Sequence, residues 1–370
     1  MSNFIDYLSW RGDLDFKMCP FNHIDALILS QLSYLDFTGI IGDDFNKKVT
    51  IKDCYEQFLK LPDYEKRIDL GVMINKKTIN LFCDCSNSNR FKNVLMTGYK
   101  NVYDKEKEIQ FSAITFCISK KMSVVAYRGT DDTLIGWKED FNLSYLTQLP
   151  SQLLSIEYLE EACQKIKNDI IVAGHSKGGN LSIYASVKCN PKYQKRLSKV
   201  YNFDGPGFDK SFFLQDSFLR IKNRINNFYP KFSVVGMIFS HFETYKIVDS
   251  NEFAVMQHDP FSWQMQGNDF VYNNDFTDES KFFYKAFNEW ISEISIDDRK
   301  NFVNTLFSIL FSVGVETNSE LEDEKLQNST KIISSIAKLD SKSKDFLFDI
   351  IKLFGKVAKN SIPIFNLFSI

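Results

Sequence analysis

Short apolar runs bounded by glycine, aspartate or lysine fill the middle of the chain. The first two are rich in β-branched and aromatic residues and are separated only by Lys120 and Lys121, which predicts a hairpin. The third, residues 170–173, is continuously apolar, as is typical of a strand that is buried on both faces of a sheet. The predicted strands are residues 109–119, 122–127, 170–173, 198–203, 225–229 and 244–248.

Helical spacing, with apolar residues every three to four positions, surrounds these runs. Asn22 is predicted to cap a helix that covers a sheet, with apolar positions at Leu27, Ile28, Leu32 and Leu35. Residues 151–167 predict a helix between two strands. Because strands alternate with helices, the sheet is expected to be largely parallel. After about residue 276 only helical spacing remains, except that the polar residues 316–330 predict a solvated linker.

Composition then narrows the classes of function. Lys+Arg 45 nearly balance Asp+Glu 47 among 370 residues, without a basic block, which argues against a general nucleic-acid-binding surface. An aromatic content of 15%, with 35 Phe, excludes disorder as the main state. Seven scattered cysteines and an opening without a basic and then apolar segment favour the reducing cytoplasm. No apolar stretch reaches the roughly 20 residues that span a bilayer.

The strongest chemical motif is GHSKGGN at residues 174–180, between an apolar run and an amphipathic helix. A nucleophile elbow holds a serine in a strained turn between strand and helix, so its neighbours must lack a Cβ where the two elements approach. Gly174 and Gly178 meet that need, and Ser176 is the candidate nucleophile. The alternative is a glycine-rich turn whose serine only caps the helix, as in a phosphate-binding loop.

A nucleophilic serine needs a base, and the chain has four histidines. Strand geometry points His175 away from Ser176, which favours a structural role. His23 precedes Ser176, whereas the order in α/β-hydrolases is serine, acid, histidine. His258, in a turn after a short apolar run, is the predicted base, and His241, in a Phe-rich stretch, is the alternative.

The third member of such a triad is a carboxylate that orients and stabilises the imidazole. Asp204 follows residues 198–203 directly and precedes a Gly-Pro-Gly turn, so it lies at the carboxyl edge of the next predicted strand. Asp249 is the alternative acid and Asp209 the third candidate. An aspartate before Gly-Pro is also a common turn former, and that interpretation of Asp204 stays open.

Acyl transfer also needs two N–H donors for the oxyanion. The backbone N–H of Lys177, directly after the nucleophile, is one. Thr130, in the Arg-Gly-Thr turn after residues 122–127, is predicted to supply the other and to steady the anion with its hydroxyl. The alternative for this turn is an ordinary strand ending. The chemistry requires no metal or organic cofactor, and none is expected.

Several of these segments resemble those of a known family. Residues 124–140, VVAYRGTDDTLIGWKED, resemble the oxyanion region of class 3 lipases, and the elbow and the strand end at residues 202–206 are similar to theirs. Together with residues 7–13 and 257–263, they resemble an uncharacterised bacterial branch of that α/β-hydrolase group, over about residues 1–275. The resemblance implies the same nucleophile, base and oxyanion donors as those named above.

The acid departs from the lipase pattern. Class 3 lipases carry it in an Asp-Ile/Val-Val-Pro stretch, and the corresponding residues 230–236 here read PKFSVVG, with Ser233 at its place. Asp204 stands where lipases usually have Gly, so we expect the acid to have moved one strand over. The expected activity is cleavage of an acyl ester or thioester, lipid included, through a Ser-His-Asp triad and an acyl-enzyme. The alternative is a catalytically silent scaffold that binds a lipid or protein partner.

The expected fold class is α/β, an α/β-hydrolase with a mostly parallel central sheet and an all-α C-terminal extension. The Phe-rich residues 212–219 and 232–242 are candidates for an acyl pocket or lid, or for core. Residues 345–359 predict an amphipathic helix with two open interpretations, peripheral membrane contact and packing on the hydrolase. The expected domains are a helical lead-in at 1–50, the hydrolase at 51–275 and a helical region at 276–370.

Overall fold

The computed structural model of the protein describes residues 2–72, 74–323, 325–337, 341, 344, 345 and 348. A nine-stranded sheet, ordered β1-β2-β3-β4-β5-β6-β7-β8-β11, forms its centre, and β9 and β10 form a separate hairpin. The strands are β1 Val49–Thr50, β2 Leu95–Asp104, β3 Ile109–Ser119, β4 Met122–Tyr127, β5 Asp169–His175, β6 Leu197–Phe203, β7 Ile225–Pro230, β8 Lys246–Val248, β9 Met265–Gln266, β10 Asp269–Phe270 and β11 Tyr272–Asn273.

Fourteen α-helices flank the sheet or follow it within the described residues. They are α1 Phe4–Arg11, α2 His23–Leu32, α3 Ile51–Phe58, α4 Tyr64–Ile68, α5 Lys77–Asn87, α6 Leu134–Asn142, α7 Pro150–Lys165, α8 Lys177–Lys188, α9 Pro191–Gln194, α10 Asp216–Leu219, α11 Asp278–Glu293, α12 Ile296–Ser312, α13 Asn318–Asp323 and α14 Lys325–Ala337. Short 3₁₀ helices occupy Lys210–Leu214, Lys222–Arg224, Val235–Met237, Ala254–His258 and Pro260–Ser262.

The pairing of neighbouring strands changes twice along the sheet. From β1 to β4 neighbouring strands are antiparallel, and the predicted hairpin of β3 and β4 is confirmed. From β4 to β8 all pairs are parallel, and β11 closes the edge antiparallel to β8. The chain therefore has the α/β-hydrolase fold predicted from its sequence, with a mostly parallel central sheet and helices on both faces.

Each face of the sheet has its own core. Val124 and Ala126 of β4 pack with helices α1, α2, α3 and α5 in what we call the N-terminal core. Val125 and Tyr127 point the other way and pack with α7 and α8 in the crossover core. Because side chains of a strand alternate between its faces, apolar residues on both sides explain the continuous apolar runs of β4 and β5.

Helix α2 of the N-terminal core shows how the sequence sets an element boundary. Asn22 accepts hydrogen bonds from the backbone N–H groups of Ile24 and Asp25 at 2.8 and 3.2 Å, which confirms the predicted cap of α2. Asp25 returns the contact by accepting from the backbone N–H of Asn22 at 2.8 Å. From this start α2 runs across the sheet and packs against β5.

A third core lies beyond the carboxyl ends of the parallel strands, and we call it the C-terminal core. Phe283 of α11 and Phe307 of α12 pack there with Tyr229 at the end of β7 and Leu134 at the start of α6. No helix among the described residues has the length and apolar character to cross a bilayer.

The predicted linker at residues 316–330 is wrong, because α13 and α14 occupy it. Leu321 is buried, and the polar residues before it find partners that the sequence does not show. Asn318 donates its backbone N–H to the carbonyl oxygen of Asp132 at 2.9 Å. The predicted helix at residues 345–359 lies outside the described residues except for positions 345 and 348.

Candidate active site

Ser176 lies at the tip of the turn that joins β5 to α8. Its backbone has φ 58° and ψ −133°, a conformation that costs free energy in any residue with a Cβ. A Cβ at Gly174 would lie 2.1 Å from the carbonyl oxygen of Gly178, and a Cβ at Gly178 would lie 2.1 Å from that of Tyr127. The two glycines therefore allow the close approach of β4, β5 and α8 that holds this turn.

Asp204 directly follows β6, the neighbour of β5, and its side chain is fully buried. Its Oδ2 lies 2.6 Å from Nδ1 of His258, which is 26% exposed. An ionised carboxylate only accepts hydrogen bonds, so Nδ1 carries the proton, and the Nε2 of a neutral ring keeps its lone pair. The pair thus has the geometry of an oriented base.

The second oxygen of Asp204 is held from the next strand end. Oδ1 accepts the hydroxyl proton of Ser233, on the loop after β7, at 2.5 Å. Ser233 is itself fixed by two hydrogen bonds with Ser280 of α11, through its backbone N–H and its carbonyl oxygen. A Cβ at Gly236 would lie 2.2 Å from Oδ1, so this loop can only approach Asp204 with glycine there.

A buried histidine supports the loop that carries His258. His175 Nε2 lies 2.9 Å from the carbonyl oxygen of His258 and must be the donor, because a carbonyl only accepts. Its Nδ1 then accepts from the hydroxyl of Tyr34 at 3.0 Å. Burial, and next the charge of His258, hold the pKa of His175 well below its usual range, so the ring is neutral. The two imidazole rings lie 4.6 Å apart between centroids.

The predicted oxyanion donors, Thr130 and Lys177, line one cavity with Ser176 and His258. Thr130 donates its hydroxyl proton to Oδ2 of Asp140, so the backbone N–H is the group it has left for an anion. Burial raises the pKa of Asp140 to about 6, while the nearby Lys177 ammonium and the Thr130 hydrogen bond act in the opposite direction. The Lys177 ammonium and the Thr130 hydroxyl thus favour the ionised form of Asp140.

The Lys177 side chain turns away from the cavity and is buried. Its ammonium donates to the backbone and side-chain oxygens of Gln110 at 2.9 and 2.7 Å, and to Oε2 of Glu139 at 3.0 Å. Its backbone N–H belongs to the first turn of α8, where helix N–H groups have no intrahelical acceptor. The side chain thus anchors the residue while the N–H stays available.

One contact of a working triad is not made. Ser176 and His258 line the same cavity, but in the described part of the chain no hydrogen bond joins their side chains. Such contacts are often long without substrate and shorten when it binds.

The alternative acids and the alternative base lie elsewhere. Asp249 forms an ion pair with Lys231 at 2.6 Å, and Asp209 caps a 3₁₀ helix by accepting from the backbone N–H of Ser211. His241 bonds to the hydroxyl of Tyr229 at 3.0 Å and borders a second, much smaller cavity.

The cavity at Ser176 has a volume of about 410 Å³, within the range of ligand-binding pockets. The two Phe-rich segments that were candidates for an acyl pocket or for core lie in different places. Val234, Val235, Ile238 and Phe239 line the cavity, whereas Phe212 is buried in the crossover core. The described C-terminal helices supply a further wall.

Sequence analysis missed two groups that shape this site. Tyr34 comes from a helix end about 140 residues before Ser176 in the chain, and no local pattern marks it. The role of Asp140 had a signal, because the resemblance to class 3 lipases includes an aspartate after the Arg-Gly-Thr turn. Its bond to Thr130 follows from the short helix α6 between them.

Comparison with known proteins identifies the family of the chain. The model of the Mbeg1-like family matches residues 85–308, and no curated protein matches the chain in sequence. Among solved structures, M37 lipase is similar with a TM-score of 0.35 and 16% identity over 59% of this chain and 70% of that one. A triacylglycerol lipase from Penicillium expansum has a TM-score of 0.31 and 14% identity over 48% and 76%. Since the family model covers more than half of its length, the chain belongs to the Mbeg1-like family.

Proposed function

We propose that the protein is a serine hydrolase that cleaves an acyl ester or thioester, with lipids among its substrates. Ser176 is the nucleophile, His258 the base and Asp204 the acid that orients it. The single observation that carries the proposal is the bond between the buried Asp204 and the partly exposed His258, at 2.6 Å, beside a strained serine turn. The apolar cavity at the same place suits an acyl chain.

Acylation begins when Nε2 of His258 takes the proton of Ser176 Oγ as this oxygen attacks the carbonyl carbon. Asp204 stabilises the imidazolium that forms. The carbonyl π electrons move to oxygen, and the oxyanion accepts hydrogen bonds from the N–H groups of Thr130 and Lys177. The positive end of the α8 dipole lies at the same point.

Collapse of the oxyanion breaks the bond to the leaving group, and the proton on Nε2 passes to the departing alcohol or thiol. Water then repeats the attack on the acyl-enzyme, with His258 again as base, and releases the carboxylic acid and free Ser176. His175 acts on neither step directly. Its bond to the carbonyl oxygen of His258 holds the loop in place while the imidazole changes charge.

The contact between Ser233 and Asp204 supports the hydrolase over a silent scaffold. Lack of a carboxylate at Ser233 on its own would favour the scaffold, but Ser233 donates to a carboxylate at the end of the adjacent strand. An aspartate bound by both a serine and a histidine has the partners that a triad acid needs.

A fluorophosphonate probe tests the proposal, because it labels only an activated serine. We expect purified full-length protein to be labelled, and Ser176→Ala and His258→Ala to lose labelling with their folds intact. In steady-state assays of ester hydrolysis, Ser176→Ala is expected to lower kcat by up to about 10⁶-fold.

Ser308→Ala is the matched control, since Ser308 is exposed on α12 and its hydroxyl donates to the carbonyl oxygen of Thr305. It should be labelled like wild type. If folded wild-type protein is not labelled, or if Ser176→Ala labels equally, the hydrolase proposal is wrong and the scaffold becomes the better explanation.

A further inference from the structure

The cavity at Ser176 has one wall from outside the α/β sheet and its crossover helices. Phe287 of α11 and Phe302 and Val303 of α12 line it, and Phe302 and Val303 are buried. This wall faces the same cavity as Ser176, Thr130 and the apolar loop after β7. The helices that the sequence suggested for packing or membrane contact thus take part in the cavity itself.

The wall is fixed to α6, the helix that follows residues 128–133, which we call the oxyanion loop. Phe307 of α12 packs edge to face on Phe141 of α6, with ring centroids 5.6 Å apart. Phe141 itself lines the cavity, and α6 also carries Asp140, the acceptor of the Thr130 hydroxyl. Movement of α12 would therefore change both the cavity and the support of Thr130.

A second attachment, which we call the clip, joins the chain after α12 to the oxyanion loop. The Asp132 carboxylate accepts from the backbone N–H and the hydroxyl of Ser319, at 3.0 and 2.6 Å. The Asp132 carbonyl oxygen accepts from the backbone and side-chain N–H groups of Asn318, at 2.9 and 3.0 Å. Leu134 donates its N–H to Glu316 at 2.9 Å. The clip thus ties the segment that follows α12 to the loop that carries Thr130.

We infer that α12 forms the wall that sets the acyl-chain length of the substrate, and that the protein selects a single medium or long acyl chain. This inference rests on the proposed function, because it assumes that the acyl group enters the cavity from Ser176. Each methylene buried against such a wall raises kcat/KM by about fourfold until the chain reaches the end of the cavity. Phe302 and Val303 are then residues that determine specificity.

The test uses full-length protein and p-nitrophenyl esters from acetate to palmitate. Val303→Trp fills the cavity, so we expect the preferred chain to shorten and the ratio of kcat/KM for laurate over butyrate to fall by roughly tenfold or more. Turnover of the acetate ester should fall much less than that of the laurate ester, because the acetyl group does not reach the wall. Phe302→Ala enlarges the cavity and should move the preference to longer chains.

Asn304→Trp is the control, since Asn304 is the exposed neighbour of Val303 on the same helix. It adds the same ring outside the cavity and should leave the chain-length profile unchanged. Circular dichroism and thermal unfolding check that each variant folds, and Phe302→Ala keeps the test decisive if the larger Trp does not fit. Profiles that stay at wild type in both cavity variants would overturn the inference.

A binding experiment separates this inference from the proposed function. Sodium laurate and sodium butyrate are titrated into Ser176→Ala against a fluorescent fatty acid. With the Val303→Trp change added, affinity should fall for laurate and not for butyrate. If this pattern appears but no ester is cleaved and no probe reacts, only the proposed function fails. If esters are cleaved but neither kinetics nor binding depends on α12, only the wall fails.

Discussion

Two aspartates, Asp25 and Asp204, are completely buried, yet their partners lead to different places. The Asp25 carboxylate accepts hydrogen bonds from Nε and Nη2 of Arg90, at 2.7 and 2.6 Å, and from the hydroxyl of Tyr7. Arg90 is fully enclosed and donates its remaining protons to carbonyl oxygens, including those of Leu14 and Cys19. Both charges of this network are therefore enclosed within the N-terminal core.

Asp204 has one enclosed partner, Ser233, and one partner that reaches the cavity, His258. Its own backbone has φ 51°, outside the regions that a residue with a Cβ prefers. Burial and hydrogen bonding alone thus do not distinguish a structural carboxylate from a catalytic one. The difference lies in whether the partner exposes a titratable nitrogen to a place where substrate can sit.

The largest expected effect comes from Asp204→Asn. An amide at this place can donate to Nδ1 of His258 and leave the proton on Nε2, so kcat/KM should fall by about 10⁴-fold. Ester hydrolysis by the folded variant checks this. The same change at the other carboxylate, Asp25→Asn, should keep kcat/KM per folded molecule within about twofold. Equal losses in the two variants would contradict the comparison.

Arg90→Met is expected to act on stability instead. It leaves the Asp25 carboxylate buried without its cation, and the free energy of unfolding should drop by about 3–5 kcal/mol. Urea denaturation followed by circular dichroism measures the change, with Lys52→Met, at an exposed position of α3, as the control. A large loss of kcat/KM in the folded fraction would show that the N-terminal core acts directly on the candidate active site.

Ser233→Ala sharpens the comparison within the site. Removal of one hydrogen bond to a charged acceptor should cost about 1.5–3 kcal/mol in total. We expect part of this cost to appear as a roughly tenfold fall in kcat/KM and the rest as a loss of stability. The kinetic assay measures the loss in kcat/KM, and urea denaturation measures the loss in the free energy of unfolding. If Ser233→Ala is as damaging as Asp204→Asn, the hydroxyl has a role beyond supporting the acid.

Asp249→Asn should have the smallest effect. Its ion pair with Lys231 is partly exposed on both sides, and such pairs contribute about 0–1 kcal/mol. We expect kcat/KM within about twofold of wild type. An effect equal to that of Asp204→Asn would exclude Asp204 as the acid.

The elements that follow local patterns were predictable from the sequence. The hairpin, the parallel strands and the turn around Ser176 rest on short apolar runs and on glycines that neighbour one another in the chain. The choice of Asp204 as the candidate acid also came from its place at a strand end. Its bond to Ser233 was not predicted, because it depends on how two strand ends lie side by side.

The error at residues 316–330 has a similar cause. The segment is polar, and polarity there favoured a solvated linker. In the structure its polar groups bind the oxyanion loop, and Leu321 anchors it to the C-terminal core. A partner so far away in the chain gives no periodic pattern, so it could not be found from the sequence alone.

The clip between Asp132 and Ser319 has a consequence for the order of events during synthesis. The two residues are 187 positions apart. A ribosome that has made strands β1 to β8, the elbow and His258 must still add about sixty residues before the oxyanion loop meets its last partners. A nascent chain that has reached only His258 thus carries Ser176 without the wall from α11 and α12, and the cavity is complete only after these helices and Ser319 have been made.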